Sequence, residues 1–561
     1  MRVGAPAAFI ALALVGCEGA PRPKAAPDTG APADGSEGSD TQAPVDADGD
    51  GVPAPLDCDD EAPEVYPAAP EVCGDWVPND CARVEAGWTR ELCQRVTTPI
   101  LRLKRSGDSL GEVAALGDLR GDGTFTLGVG SPGISECVEV GVDALGEPIY
   151  DCGSIGGIFL LEPATLLREV GDEVRFPSWD SWGVGQRSIG GHRSPRHYGS
   201  SLEGLGDFDG DGFDDFIVGN DQQGAEEVDE VWLFWGPGPS ARIDEGVQLF
   251  VGEDWERCAG YDMERAGDLT GDAVDDLLIS DPCADEVWVY SGAEVRAATG
   301  PDLAPVAVVA ERATPGIHFG LGVNGTRDLT GDGLADLAAS APHPEASARV
   351  ADLDYVGVYE GPLSGVRDAS EAVFTMRSAL VRADGSIHNS GYTLDVGDLN
   401  GDGHGDLVIG DPKWNPHGDD NGAYATFVFF GPLGGDRLDS DAGAQVQYFT
   451  GSDVQAHTDF DGDGRDDLLV GSGIYPREVA FSTFMGGIGE AYLMYSPFQG
   501  SIRANADGDV VFSCDADWSA CGNLGMQVQA IPDQSGDGVP DVLVADYGNE
   551  YWIFPVPLPI R

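Results

Sequence analysis

The sequence predicts an all-β fold in which seven four-stranded blades close into a ring, a seven-bladed β-propeller. Seven copies of one acidic, glycine-rich segment recur along the chain, and each copy runs into a short apolar stretch. The first aspartates of successive copies lie 60 to 89 residues apart, which accommodates one four-stranded blade per repeat with insertions. The 81 Gly and 37 Pro residues favour many turns between short strands.

Each copy has the same order of a strand-like approach, an acidic loop, an apolar run and a further strand such as EVWLF from Glu230. The copies are GDLRGDGTFTLGVGSP from Gly117, GDFDGDGFDDFIVGN from Gly206, GDLTGDAVDDLLISDP from Gly267, RDLTGDGLADLAASAP from Arg327, GDLNGDGHGDLVIGDP from Gly397, TDFDGDGRDDLLVGSG from Thr458 and PDQSGDGVPDVLVADY from Pro532. Seven such copies in register exclude a chance match to a single acidic turn.

Six of the loops carry the oxygen atoms that a calcium ion needs. Ca²⁺ takes six to eight oxygen ligands, here side chains at loop positions 1, 3, 5 and 9 and the carbonyl at position 7. In chain order these are Asp207, Asp209, Asp211, Phe213 and Asp215; Asp268, Thr270, Asp272, Val274 and Asp276; Asp328, Thr330, Asp332, Leu334 and Asp336; Asp398, Asn400, Asp402, His404 and Asp406; Asp459, Asp461, Asp463, Arg465 and Asp467; and Asp533, Ser535, Asp537, Val539 and Asp541. Position 3 varies only among oxygen-bearing residues, which favours calcium over a merely solvated turn.

The first loop departs from this pattern. Arg120 occupies position 3 and Thr126 occupies position 9. We expect this loop to bind no metal and the guanidinium to stand in for the ion. The sequence therefore predicts about six calcium sites in the ring.

The repeat resembles the FG-GAP (VCBS-type) repeat of the integrin α-subunit propeller over residues 98–561. His318-Phe319-Gly320 and Tyr198-Gly199 match the FG element, and Gly130-Ser131-Pro132, Ala339-Ser340-Ala341-Pro342 and Gly410-Asp411-Pro412 match the GAP element. The resemblance implies a propeller that uses calcium for its structure and one face of loops for binding partners.

Ring closure is predicted from the two ends of the repeat region. The strand at 551–556 is the third of the seventh blade, which leaves that blade without an outer strand. The strand-like Ile100-Leu101-Arg102-Leu103 precedes the first repeat and can pair there, which would remove an exposed edge.

The N-terminus is typical of an exported lipoprotein. Residues 1–17 form a short apolar signal that ends in Leu14-Val15-Gly16-Cys17, which resembles a lipobox with Cys17 as the lipidated residue. The alternative is an ordinary cleaved signal peptide with a chance cysteine. Residues 18–45 are rich in Ala, Pro, Gly and Asp and are interpreted as a disordered linker.

Residues 46–95 are interpreted as a small Asp/Cys-rich metal-binding module. Asp46, Asp48, Asp50, the Val52 carbonyl and Asp57 occupy positions of an EF-hand-like calcium loop, which adds one possible site to the six. The region resembles an Asp/Cys-rich metal-binding motif of surface proteins. The alternative is an acidic spacer held by disulfides.

Ten cysteines remain besides Cys17, an even number that suits an oxidising compartment. Proximity predicts the pairs Cys137–Cys152, Cys258–Cys283 and Cys514–Cys521. The remaining four allow three connectivities, and no CxxC spacing supports a zinc site instead; they are Cys58, Cys73, Cys81 and Cys93.

Charge and motifs limit the function. Acidic residues outnumber basic ones by 97 to 31, which excludes a basic face for nucleic acid. No catalytic motif is found, so we expect no enzyme. The sequence predicts a calcium-binding lipoprotein of the outer membrane or cell surface, held to the membrane only by its lipid. We expect it to act in adhesion or in recognition of a protein or polysaccharide. The alternatives are an extracellular hydrolase or lyase and a cation-sequestering envelope protein.

Overall fold

A computed structural model describes the repeat region and shows an all-β, seven-bladed β-propeller. The described residues are 94–96, 98–104, 112–131, 135–142, 148–154, 157–169, 173–175, 186–190, 198–220, 229–237, 246–252, 257–301, 303–342, 355–377, 391–411, 425–447, 450–473, 489–504, 508–513, 524–546 and 550–557. The predicted fold class and blade number are confirmed.

Each blade contains four antiparallel strands, which follow one another from the channel outwards. They are Val113–Gly117, Thr126–Gly130, Gly157–Leu161 and Gln186–Gly190 in blade one; Ser201–Gly206, Asp215–Gly219, Glu230–Phe234 and Val247–Val251 in blade two; Met263–Arg265, Leu277–Asp281, Glu286–Tyr290 and Ala307–Ala310 in blade three; Val323–Asn324, Leu337–Ala341, Tyr355–Tyr359 and Phe374–Arg377 in blade four; Thr393–Gly397, Asp406–Asp411, Ala425–Phe429 and Ala444–Gln447 in blade five; Val454–Thr458, Asp467–Ser472, Glu490–Met494 and Val510–Phe512 in blade six; and Gln527–Ile531, Asp541–Ala545, Glu550–Phe554 and Leu101–Lys104 in blade seven.

Short helices and one hairpin lie outside the four-stranded sheets. Helices follow the third strands of blades one and three at Pro163–Glu169 and Gly292–Val295, and 3₁₀ turns lie at Ala369–Glu371 and Asp439–Asp441. A hairpin of Ser135–Val142 and Pro148–Ser154 connects the second and third strands of blade one.

The apolar core lies between the blades. Seven clusters of buried residues occur among the described residues, and each one combines side chains from two neighbouring blades. The second strands are buried along their whole length, which suits their runs of Val, Leu and Ile. A blade therefore buries its apolar faces only when both neighbours are present.

The predicted closure is confirmed. Leu101–Lys104 pairs antiparallel with Glu550–Phe554, and Ile100 donates its N–H to the Ile553 carbonyl at 2.8 Å. Leu101 and Leu103 are fully buried in the cluster between blades seven and one. The ring is thus closed by an N-terminal strand in the last blade.

A second N-terminal strand lies before residue 98, the residue at which the sequence analysis began the propeller. Gln94–Val96 pairs in parallel with Val510–Phe512 at the outer edge of blade six. This strand was not predicted because three residues are too few for a hydrophobic period.

The same kind of parallel fifth strand links other neighbours. The segment between the third and fourth strands of one blade extends the sheet of the preceding blade, as Gly365–Asp368 does beside Ala307–Ala310. The further cases are Gly435–Leu438 on blade four, Gly500–Arg503 on blade five and Glu173–Arg175 on blade seven. These strands add backbone hydrogen bonds between blades to the apolar contacts.

One of the predicted cysteine pairs is confirmed in the described residues. Cys258 and Cys283 form a disulfide. Cys137 and Cys152 are directly opposed in the blade-one hairpin. The pair Cys514–Cys521, Cys17, the predicted linker at 18–45 and residues 46–93 of the predicted module at 46–95 lie outside the described residues. No helix in the described part of the chain combines the length and apolarity needed to cross a membrane.

We predict that the Leu103→Ala substitution lowers the free energy of unfolding by about 3 kcal/mol, because it leaves a cavity at the closure. The matched control is Leu438→Ala, since Leu438 is 44% exposed, and its loss should stay below about 0.5 kcal/mol. Thermal and denaturant unfolding in calcium-containing buffer measure both values. Equal effects of the two substitutions would show that the closing strand contributes little to stability.

Candidate functional site

The acidic loops join the first and second strands of each blade, so they all lie on one face of the ring. Hydrogen bonds inside each loop hold its carboxylates in place. In blade two, Asp207 accepts from the N–H groups of Gly210 at 2.8 Å and Gly212 at 3.0 Å. Asp209 accepts from the N–H of Asp211 at 3.0 Å. The loop thereby curls around its own position 1.

The glycines at positions 4 and 6 permit this curl. Gly210 and Gly212 have φ values of 82° and 94°, a conformation that a side chain would strain. The same hydrogen bonds to position 1 recur in the loops at Asp268, Asp328, Asp398, Asp459 and Asp533. The position-1 aspartates therefore occupy equivalent places in all six loops.

The carboxylate at position 9 is the buried element of each loop. Asp215 accepts from Phe208 and Asp209 of its own loop and from the N–H of Gly236, which follows the third strand, at 2.8 Å. The N–H that follows the third strand makes the same bond in four other blades; the pairs are Gly292 with Asp276, Gly361 with Asp336, Gly431 with Asp406 and Ser496 with Asp467. Position 9 thus fastens the loop to the body of the blade.

Burial raises the pKa of these carboxyl groups. Desolvation raises the pKa of Asp215, Asp406 and Asp541 to about 6 and that of Asp467 to about 8. The pKa values of Asp276 and Asp336 are raised by the same cause. A cation beside such a carboxylate would offset the cost of ionising it.

Two observations fit a divalent cation to these loops. Carboxylate oxygens of Asp207, Asp209 and Asp215 lie within 4.8 Å of one another, as do those of Asp459, Asp461 and Asp463. The Oδ1 atom of Asp541 is buried and accepts no hydrogen bond from any described residue. The donor set is made of oxygen alone, which hard divalent cations prefer.

The first loop keeps the backbone geometry without the ligand set. Asp118 still accepts from the N–H of Gly123 at 2.6 Å. The Arg120 guanidinium lies 3.4 Å from the Asp122 carboxylate and 2.7 Å from that of Glu162. In other blades, a residue after the third strand donates its N–H to the residue at loop position 9. In this blade Pro163, which has no N–H, occupies that place, and position 9 is Thr126. The carboxylate and its donor are therefore both absent from this blade.

The acidic lining of the central channel was not predicted from the sequence. A cavity of about 900 Å³ on the propeller axis is lined by the first strands. Its wall contains seven carboxyl groups and His457, and no lysine or arginine among the described lining residues; the seven are Glu112, Glu203, Asp262, Glu264, Asp395, Asp453 and Asp546.

The channel side chains connect neighbouring first strands. The first strands do not pair with each other, so each exposes backbone N–H groups along the channel. Side chains of the preceding blade accept from them; the bonds run from Leu202 to Glu112, Val323 to Asp262, Ala456 to Asp395, Val528 to Asp453, Ala530 to Gln455 and Ala115 to Gln529. The last of these bonds crosses the closure from blade seven to blade one.

The channel carboxyls resist ionisation. Burial is the main cause that raises the pKa of Glu112 to about 8 and those of Asp262 and Asp453 to about 7. Burial also raises the pKa values of Glu203 and Glu264, and the neighbouring carboxylates raise them further. The Asp395 charge raises the pKa of His457, whose Nδ1 lies 2.8 Å from Asp395 Oδ2.

A sequence signal for the channel exists. In five of the seven repeats, the residue four positions before the first loop aspartate has a carboxyl or amide side chain. These residues are Glu203, Glu264, Asn324, Gln455 and Gln529. The alternation of a strand places this residue on the channel side of a strand whose other side is apolar.

We predict that Glu203→Gln stabilises the protein at pH 8.5 and leaves it unchanged at pH 4.5. Because the folded-state pKa is raised, the unfolded chain releases this proton first, and stability falls as the pH rises from about 4 through the folded pKa. The gain at pH 8.5 should be at least about 1 kcal/mol, since one pKa unit corresponds to about 1.4 kcal/mol.

Thermal unfolding in calcium-containing buffer at both pH values measures this effect. Glu294→Gln is the control, because Glu294 is exposed and should show no such pH dependence. An equal gain from Glu203→Gln at both pH values would contradict the role of buried charge.

Comparison with known proteins identifies two motifs. The FG-GAP repeat profile matches residues 198–234 and 390–429, which lie in blades two and five. A metal-binding motif of the Cu-binding MopE type matches residues 57–84. This match overlaps the predicted N-terminal module and contains Asp57 of its proposed loop. Asp46, Asp48, Asp50 and Val52 fall before it.

Three relatives illustrate the similarity. Integrin alpha-PS2 of Drosophila melanogaster is 27% identical over 199 residues, which are 35% of this chain and 13% of the integrin. Integrin alpha-V of Gallus gallus is 25% identical over 219 residues, 37% of this chain and 19% of the relative. Phosphatidylinositol-glycan-specific phospholipase D of Bos taurus is 31% identical over 163 residues, 28% of this chain and 18% of the relative.

The aligned segment spans a fifth or less of each of these relatives. Together with the seven blades and the repeated loops, the comparisons show that this chain is an FG-GAP-repeat β-propeller similar to that of integrin α, with a MopE-type metal-binding motif before it.

Proposed function

We propose that this protein is a calcium-binding surface lipoprotein whose propeller recognises a protein or polysaccharide ligand outside the cell. The observation that carries the proposal is the recurrence of one oxygen-lined loop in six of seven blades, with a buried carboxylate at position 9 each time. The similarity to integrin α propellers supports an extracellular recognition role.

Calcium is the cation that we propose for the loops. The ligands at positions 1, 3, 5 and 9 are aspartates or neutral oxygen donors, and the repeat has neither the cysteine nor the recurring histidine of a zinc or copper site. The His404 position contributes a backbone carbonyl in this scheme. Bound ions would neutralise the carboxylates that burial now disfavours.

Calcium removal should lower the stability of the propeller. At millimolar calcium and an extracellular-type Kd of about 10⁻⁴ M, each site contributes about 1.4 kcal/mol, so six sites contribute on the order of 8 kcal/mol. We therefore expect a large drop in melting temperature on chelation and recovery when calcium is restored. Differential scanning calorimetry measures the drop, and an unchanged melting temperature would contradict the proposal.

Two variants distinguish the loss of a bound ion from the loss of a hydrogen bond in the turn. Asp272 and Asp122 both occupy position 5, and each accepts from the N–H two residues later, at 2.9 Å and 3.0 Å. Both Asp272→Ala and Asp122→Ala remove this turn bond. Only Asp272→Ala should also remove one calcium ion from the titrated stoichiometry, because Asp122 lies in the loop that we expect to be metal-free.

The anchor and the recognition role can be tested with one variant. We propose that Cys17 carries the lipid, so wild-type protein expressed in a bacterial host should fractionate with membranes and Cys17→Ser should not. The soluble Cys17→Ser protein is then applied to immobilised envelope proteins and polysaccharides. We expect retention in calcium and release by chelator.

The control for retention is Cys17→Ser combined with Asp272→Ala and Asp332→Ala, which removes two proposed ligands in adjacent blades. Retention that persists in chelator would argue against a calcium-dependent recognition face. Membrane association of the Cys17→Ser protein would argue against the lipid anchor.

A hydrolase is the second candidate, and the similarity to phosphatidylinositol-glycan-specific phospholipase D favours it. The channel carboxyls with raised pKa values are chemically able to act as acids and bases. Release of a phosphatidylinositol-glycan-anchored reporter by the purified protein, lost in Glu203→Gln, would favour this candidate over recognition.

A further inference from the structure

The acidic loops of neighbouring blades contact each other directly. The N–H of position 8 in one loop donates to the carbonyl of position 1 in the preceding loop. This bond runs from Asp214 to Asp118 at 3.1 Å, from Gly405 to Asp328 at 2.7 Å and from Asp466 to Asp398 at 3.1 Å. Each of these position-1 residues therefore touches the next blade at its own backbone.

In two of these contacts the position-8 side chain returns a second bond. The Oδ2 atom of Asp466 accepts from the N–H of Asp398 at 2.8 Å. Asp214 does the same for Asp118 at 2.5 Å, but Asp118 belongs to the loop that lacks the ligand set. Gly405 has no side chain to return a bond. Among the described contacts, blades five and six are thus the pair in which two complete loops share a two-bond clasp.

Asp466 also contacts a residue in blade four. The Arg327 guanidinium lies 2.5 Å from its Oδ2 atom, and the Asp466 side chain is only 13% exposed. Arg327 directly precedes Asp328, the first ligand of loop four, and Asp466 directly precedes Asp467, the last ligand of loop six. One carboxylate therefore joins the ends of three proposed sites.

Packing reinforces the contact between loops five and six. A Cβ built on Gly401, at position 4 of loop five, would lie 2.9 Å from Arg465 Nε. Arg465 occupies position 7 of loop six and also contacts Asp463 at 2.9 Å. The conformation of loop six therefore limits the space available to loop five.

We propose that Asp466 is a positioning residue that couples the cation sites of blades five and six, so that filling one site raises the affinity of the other. This inference rests on the proposed cation-binding function. An ion in loop six fixes Asp467 and hence the adjacent Asp466, which then holds the Asp398 backbone ready for an ion in loop five. The first ion has already ordered part of the backbone that the second ion needs. The second ion therefore binds at a lower entropic cost, so the coupling is positive.

The test is calcium titration of the full chain by isothermal calorimetry, starting from chelator-treated protein. Asp463→Ala removes a ligand from loop six. We expect the stoichiometry to fall by one and one of the remaining sites to weaken by about five- to tenfold. If the sites are independent, the stoichiometry falls by one and the other affinities stay unchanged, which would overturn the coupling.

Asp537→Ala is the matched control. It removes the same position from loop seven, whose position 8 is Pro540 and has no N–H to form the clasp. We expect this variant to lose one site and to leave the affinities of the remaining sites unchanged. A weakened second site here as well would indicate general destabilisation and would count against a specific role for Asp466.

Substitution of Asp466 itself completes a double-mutant cycle with Asp463. In the Asp466→Ala background, Asp463→Ala should remove one site with no effect on another. Asp466→Asn keeps an oxygen acceptor for the Asp398 N–H and should restore the coupling. Persistence of the coupling in Asp466→Ala would overturn the assignment to this residue.

Two further measurements distinguish the possible failures. Asp275→Ala changes position 8 of blade three, where the carboxylate pairs with Arg265 at 2.7 Å instead of with the preceding loop, so it should leave all affinities unchanged. Melting temperatures in saturating calcium show whether each variant folds. Absence of calcium binding by the wild-type chain would defeat the proposed function, whereas full stoichiometry without coupling would defeat only this inference.

Discussion

The structure depends on apolar burial between blades. None of the seven core clusters among the described residues belongs to one blade alone, so each blade needs its two neighbours to remove its Val, Leu, Ile and aromatic side chains from water. A linear stack of such blades would leave two apolar faces exposed. Closure by Leu101–Lys104 removes both faces at once, and this explains why the closing strand carries two fully buried leucines.

This arrangement buries polar groups in two places, the central channel and the face of the ring that carries the acidic loops. The first strands leave backbone N–H groups unpaired along the channel, and acidic or amide side chains of the preceding blade accept from them. The loops on one face bury a carboxylate at position 9 to fasten themselves to the third strand. Part of the chain's charge of −66 is therefore built into the interior of the ring. Burial raises the pKa values of several of these carboxyl groups.

The sequence was sufficient for the fold and for the loops because both repeat. Seven spaced copies defined the blades, and the restriction of position 3 to oxygen donors marked six loops out from the one containing Arg120. The Cys258–Cys283 bond followed from proximity. These features are local or recur at a regular spacing, so the linear sequence is enough to show them.

The remaining features are not local. Asp395 reaches the channel three residues before its loop, whereas Glu203 and Glu264 do so four residues before theirs, so no fixed position identified the set. Asp466 contacts Asp398 in blade five and Arg327 in blade four, which precede it by 68 and 139 residues. Gln94–Val96 was missed because a three-residue strand has no period to detect. Contacts between repeats require the ring, and the repeat alone does not reveal them.

The position of the two N-terminal strands determines where mechanical load would enter the ring. Any segment that precedes residue 94 joins the propeller at the outer strands of blades six and seven. Gln94–Val96 forms three parallel pairs, and Leu101–Lys104 forms four antiparallel and three parallel pairs. Tension on that segment would first be resisted by these ladders and by the Arg102–Glu550 ion pair. Such tension would therefore reach the blade edges before the acidic loops.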